Sequence, residues 1–146
     1  MKTYNLIPQE KNNFCICSCL QTIFNKHNIK ISQEEIANNL TPAKKGFRIH
    51  DKTFKNFVNA KGFYFESHWY NETPFNEPDS ILEEMIKNEG FVGINSHIYL
   101  LNAFNYPDIE LIDPENCLIK KYKLSALHKE MSKYNRGFFG LIKKLA

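Results

Sequence analysis

Apolar residues recur at helical spacing through the first half of the chain and as short alternating runs through the second, and this order limits the fold more than any other feature. In the first half, Ile16, Cys19, Leu20, Ile23 and Phe24 share one face of a helix predicted from Cys15 to about His27. Ser32 with Glu35 three residues later is a capping box, which starts a short helix running to about Leu40. Phe54, Phe57 and Val58 form the apolar stripe of a third helix over 50–61, and Gly62 stands at its stop. A strand over 62–67 is followed by a loop over 71–78. A further helix, capped by Asp79 or Ser80, runs to about Asn88 and is ended by Gly90. The pattern then changes. Residues 91–95, 97–104, 109–112 and 118–122 are short apolar or alternating runs broken by Asn, Asp and Pro, which are strand and hairpin signals. A helix over 125–134 and a strand over 137–143 close the chain. Helices first and strands last predict an α+β fold, with N-terminal helices packed on a C-terminal antiparallel sheet.

A length of 146 residues without repeats or linkers predicts one domain over 1–146. The net charge of +3 comes with lysines scattered along the chain, so no nucleic-acid partner is expected. The densest basic stretches, 120–123 and 143–144, read as solvated surface. No apolar run reaches the ~18 residues of a membrane span, and the N-terminus lacks the apolar core of a secretory signal. Cys15, Cys17 and Cys19 alternate too closely to pair with one another, which leaves Cys117 as the one distant partner. Free thiols and a reducing, cytoplasmic setting are expected.

Cys15 stands where the first helix begins, after the polar run 10–13. A thiol attacks as thiolate, and the unpaired N–H groups of a helix N-terminus favour negative charge there. The Cys15 N–H is also free to meet a developing oxyanion, and Gln9, six residues earlier, offers a neutral carboxamide as second donor. His97 opens the run Ile98-Tyr99-Leu100-Leu101, at a strand edge suited to a base. Asp113 ends the next strand. A hairpin through Asn105-Tyr106-Pro107-Asp108 would bring it to the same end as His97, where it can orient the imidazole. Cys15, His97, Asp113 and Gln9 are the candidate catalytic residues. Cys17 and Cys19 read as packing, with Cys19 a candidate resolving thiol on the minority reading. Cys-x-Cys-x-Cys is not a zinc spacing, and no metal or other cofactor is expected. His27, His50, His68 and His128 show no acidic partner in the sequence. Trp69 and Tyr70 are candidates to line a cleft.

Two boxes carry a family resemblance. Gln9 with Cys15, and Gly93-Ile94 with His97-Ile98-Tyr99-Leu100-Leu101 and Leu111-Ile112-Asp113-Pro114, resemble the bacteriocin-leader peptidases. Those are papain-like cysteine peptidases of the double-glycine-leader type. The likeness runs from Gln9 to about Leu141 and implies a papain-like fold and a thioester mechanism. A peptide or protein substrate, or an acyl donor, is implied with it. The family usually carries Gly directly after the nucleophile, where this chain has Ile16. Its side chain either fills space over the sulfur or points into the core. Three functions are compatible with these residues: a cysteine peptidase, an acyltransferase on the same machinery, and a peptide-binding module without turnover. A toxin or effector acting on another protein is a further class.

Overall fold

The structure, a computed structural model, describes residues 4–71, 84–85 and 87–145. Nearly all of the loop expected over 71–78 and most of the helix expected over 79–88 lie outside the described residues. The described elements are α1 (Cys15–Lys26), α2 (Gln33–Asn38), α3 (Lys52–Ala60), β1 (Phe63–Trp69), β2 (Glu89–Ile94), β3 (His97–Asn105), β4 (Asp108–Ile112), β5 (Ile119–Lys123), α4 (Leu124–Lys133) and β6 (Gly137–Lys144). The strands form one antiparallel sheet in the order β1-β6-β2-β3-β4-β5. None of the described helices is long and apolar enough to cross a membrane.

Period-two alternation puts successive side chains of the central strands on opposite faces. Phe91, Leu100, Phe138 and Ile142 join the core beneath α1, α2 and α3, while Val92, Leu101, Phe139 and Leu141 join a second core under Leu124, Leu127 and Met131 of α4. The sheet is therefore covered on both faces, and β2 is buried along its whole length. Helix α1 is buried nearly all round, from Cys15 to Leu20 and again at Thr22, Ile23 and Phe24, which makes it the central helix. Ser32 caps α2 through Glu35 N–H, and Asp51 caps α3 through Phe54 N–H.

Gly90 is a strand residue and does not act as a helix stop. A Cβ there would lie 2.6 Å from the carbonyl oxygen of Gly140 on β6, so the backbones of β2 and β6 meet too closely for a side chain. β1, from the first half of the chain, enters the sheet at its far edge beside β6, with Phe63 opposite Lys144 and Trp69 opposite Phe138.

The lead-in before α1 is irregular, and buried polar side chains pin it. Ser18 Oγ donates to Ile7 O. Thr22 Oγ1 accepts from Ile7 N at 3.2 Å, and Gln33 Nε2 donates to Pro8 O at 2.9 Å. Ser18, Thr22 and Gln33 are all buried, so each hydrogen bond also satisfies a group shut off from water.

Candidate active site

Three side chains far apart in sequence meet at one end of the sheet. His97 opens β3 immediately after a two-residue turn in which Asn95 (φ 48°) and Ser96 (φ 67°) are both left-handed. Two left-handed residues form the tight turn whose twist matches the flanking strands. Ser96 Oγ also accepts from Arg136 Nη1 at 3.0 Å, which ties that turn to the start of β6. β4 pairs with β3 through the hairpin closed by Asn105 and Asp108, with a bulge between Leu101 and Ala103. Asp113, directly after β4, thus reaches His97. The carboxylate Oδ1 accepts from His97 Nε2 at 2.8 Å and from Glu115 N–H at 3.0 Å.

Cys15 is the first residue of α1. No side chain caps this helix and its first turn holds no acid, so the N–H groups around the thiol have no carboxylate competing for them. Cys15 and His97 line the same cleft, and the Cys15 side chain is the main reason the imidazole is raised to about 9; burial opposes the shift and Asp113 adds to it. With Nε2 held by Asp113, the ring has Nδ1 left for the sulfur. Burial pushes Asp113 upward, but His97, the Glu115 N–H and Lys120 outweigh it, so the carboxyl lies below its ordinary range. Lys120 Nζ stands 3.8 Å from Asp113 Oδ2. The ring of Tyr99 meets His97 edge-on at 4.6 Å, and burial together with the charge of Asp113 pushes its phenol up to about 12.

Gln9 lies beside this group. Its N–H donates to Pro114 O at 2.9 Å, next to Asp113. Its side-chain Nε2 donates to Lys11 O at 3.2 Å, while Oε1 is buried without a hydrogen-bond partner. Cys17 and Cys19 are fully buried core residues. Burial pushes the Cys17 thiol up to about 12 and holds Cys19 well above its ordinary value, so neither is poised to react. Cys117 is exposed, and all four cysteines are free.

Cys15 and His97 open onto a cleft of about 710 Å³. Ile16 borders the cleft but is only 1 % exposed and belongs to the core, so its side chain points inward. The opposite wall is aromatic. Phe138 lies over Gly93, where a Cβ would come within 2.2 Å of its ring. His50 packs against Phe138 at 4.6 Å and Trp69 at 4.4 Å, with Ser67 Oγ 2.8 Å from its Nε2. Burial and Lys55 lower its pKa, so it serves as a neutral ring. Trp69 lines the cleft. Tyr70 does not; its hydroxyl donates to Asn135 at 3.1 Å.

The sequence reading missed His50, the loop over 41–48 and Arg136 as cleft residues. None belongs to a periodic pattern, and nothing local predicts which tertiary surface a loop will face. It also missed acidic partners for two histidines: Glu89 sits 2.7 Å from His27, and Glu66 sits 2.8 Å from His68. His97, Asp113 and Glu115 bring three possible metal-ligand atoms within 4.8 Å of one another. Asp113 Oδ1 is already shared by two hydrogen bonds, so a cation there would have to break them.

Comparison with known proteins adds a family and a fold. The family model described as the Peptidase C39 family matches residues 3–135. No curated protein matches the sequence. Among solved structures, the chain resembles a double glycine motif protease from an AMS/PCAT transporter, crystallised in complex with the leader peptide. The identity is 13 % and the TM-score 0.69, over 97 % of this chain and 92 % of that one. It also resembles the peptidase domain of Streptococcus ComA, a bifunctional ABC transporter of a quorum-sensing pathway. The identity is again 13 %, with a TM-score of 0.65 over 97 % of this chain and 99 % of that one. At that identity the likeness is one of fold, and the fold is papain-like.

Proposed function

The chain belongs to the Peptidase C39 family, and from that premise we propose that it is a cysteine peptidase in which Cys15 is nucleophile, His97 base and acid, and Asp113 orienter. The convergence of Cys15 and His97 on one cleft, with Asp113 bonded to His97, carries this reading. A peptide lying in the cleft presents a carbonyl carbon to the Cys15 sulfur. As the S–C bond forms, the carbonyl oxygen takes negative charge and meets the Cys15 N–H at the start of α1. His97 then gives its proton to the leaving amine, the C–N bond breaks, and a thioester remains. Water attacks that thioester while His97 takes its proton, and the acid is released. Asp113 holds Nε2, so the other ring nitrogen faces the sulfur throughout.

Gln9 is the second oxyanion donor in this scheme. Rotating its carboxamide by 180° exchanges the two ends and puts Nε2 at the buried position Oε1 occupies, at the cost of one weak bond to Lys11 O. Gln9→Ala is expected to lower kcat by about 2–4 kcal/mol of transition-state stabilisation while leaving KM nearly unchanged. Normal turnover in that variant would remove Gln9 from the site.

A peptide substrate fits an open cleft and accords with the leader peptide held by the resembling protease. Four free thiols fit a reducing compartment such as a cytoplasm. Peptide mapping after brief iodoacetamide treatment at pH 6 tests the nucleophile. Cys15 is expected to alkylate ahead of the exposed Cys117, and His97→Ala is expected to abolish the lead. If Cys117 reacts first in the wild-type protein, Cys15 is not activated and the peptidase reading fails.

A further inference from the structure

The walls of the cleft carry charge that the proposed chemistry does not use. Lys44, Lys45 and Arg48 stand on the loop before α3, and Arg136 precedes β6. Among the described residues, none of these four pairs with a carboxylate. Lysines elsewhere do: Lys11 with Glu34, Lys26 with Glu89, Lys123 with Asp108, and Lys143 with Glu66 and Glu84. Among the described residues, the one acid lining the cleft is Asp51, and its carboxylate is occupied as the cap of α3, 2.9 Å from Phe54 N. Among the described residues, four cations therefore face one carboxylate in this cleft.

These cations are held in place. The loop folds back on itself through Ala43 N–H to Gly46 O at 2.9 Å and Arg48 N–H to Thr41 O at 2.8 Å. Phe47 then packs edge-on against Phe14, the residue before Cys15, at 5.7 Å. The loop is thus fixed beside the start of α1 and presents its charges toward the thiol's cleft. Clustered like charges repel one another, and a concave apolar wall strengthens their field. An anionic occupant relieves both effects.

We propose that this cleft selects acidic peptides: substrates bearing two or more Asp or Glu side chains near the bond to be cut, which Lys44, Lys45 and Arg48 receive on one wall and Arg136 on the other. The inference rests on the peptidase reading for its substrate, and it favours a peptide over a nucleic acid because the cations flank the thiol and do not form an open stripe.

Binding to the Cys15→Ala variant tests it without any need for turnover. Two fluorescent peptides of equal length are compared by anisotropy, one with three Glu and one with Gln in their place. The acidic peptide is expected to bind about ten-fold tighter at low salt, from roughly 0.2–1 kcal/mol for each exposed pair. Most of that advantage is expected to vanish at 0.5 M NaCl. Lys44→Gln/Lys45→Gln/Arg48→Gln should erase most of the advantage, leaving the share that Arg136 supplies. Lys44→Gln/Lys45→Gln, both exposed and so safe for folding, should erase part of it. Lys121→Gln/Lys123→Gln/Lys129→Gln, with the same loss of net charge outside the cleft, should keep it.

Equal affinities for the two peptides, no binding of either, or equal loss in the outer triple variant overturns the proposal. So does tighter binding of a single-stranded oligonucleotide of matched charge. An inactive wild-type enzyme that still prefers the acidic peptide would count against the peptidase reading alone.

Discussion

Cys15 and Asp113 both raise the affinity of His97 for the proton. Its folded value of about 9 stands above the ~6.5 of an exposed imidazole. The ion-pair contribution to stability is therefore complete below about 6.5 and is lost as pH rises through about 9. In the proposed mechanism the leaving amine needs the same proton, so kcat/KM on a peptide substrate should fall through about 9 on its alkaline side. Lys120 is the handle for testing that assignment. It stands 3.8 Å from Asp113 Oδ2, where its charge competes with the imidazolium for the carboxylate. Lys120→Met keeps much of the stem beside Tyr99 and removes the charge, so the alkaline limb should move to higher pH. A limb that stays put in the pH–rate profile would mean that another group sets it. Asp113→Asn should leave the fold intact while cutting turnover strongly, because a neutral carboxamide loses the carboxylate's charge and can turn a donor toward the ring, so the tautomer is no longer fixed.

Helix α1 carries both the thiol and the centre of the core, and the two roles meet at adjacent residues. Ile16 turns inward at 1 % exposure, so the space above the Cys15 sulfur stays open despite the missing glycine. Ile16→Gly should cost about 2–5 kcal/mol in a denaturant melt, as for other buried aliphatic side chains, with little change in preference for bulky acyl groups. A variant equal to wild type in both would show that the position governs neither packing nor access. The helical stripe of α1 and the hairpin of β3 and β4 were legible in the sequence because each rests on a local period or a local turn. That is also why His97, Asp113 and Cys15 could be singled out from short boxes alone. The pairing of β1 with β6, and of β6 with β2, was not legible, since each joins segments far apart in the chain and leaves no local signature. Gly90 was read by the ordinary grammar of helix ends, whereas its reason is a carbonyl arriving from Gly140. The loop over 41–48 was silent for a similar cause: its cations matter only because Phe47 anchors on Phe14.

At the scale of the molecule, a second polar cluster ties the N-terminal arm to the sheet. Tyr4 Oη donates to Glu89 Oε1 at 2.5 Å, His27 Nε2 meets Oε2 at 2.7 Å, and Lys26 Nζ lies 3.3 Å from Oε1. Burial alone would push the Glu89 carboxyl upward, but these three partners hold it below its ordinary range. Glu89 therefore stabilises the fold above its unfolded value of about 4.3, and that stability is lost as pH falls through the lower folded value. Tyr4→Phe should cost about 1–3 kcal/mol and move acid unfolding, followed by circular dichroism, to higher pH. An unchanged acid midpoint would show that the arm is held by its other contacts. The same arm runs on to Gln9, whose N–H reaches Pro114 beyond β4, so the front of the chain is fastened to the neighbourhood of Asp113. Synthesis proceeds from one end, and Cys15 leaves the ribosome long before Asp113 does. Until the later strands have emerged and taken their places, the newborn chain holds a thiol with neither a base nor a carboxylate behind it. A copy that stalls, is cut short or loses its sheet to heat returns to the same harmless condition. On the proposed peptidase reading, the capacity to cut other chains thus appears only in a molecule that has finished making itself.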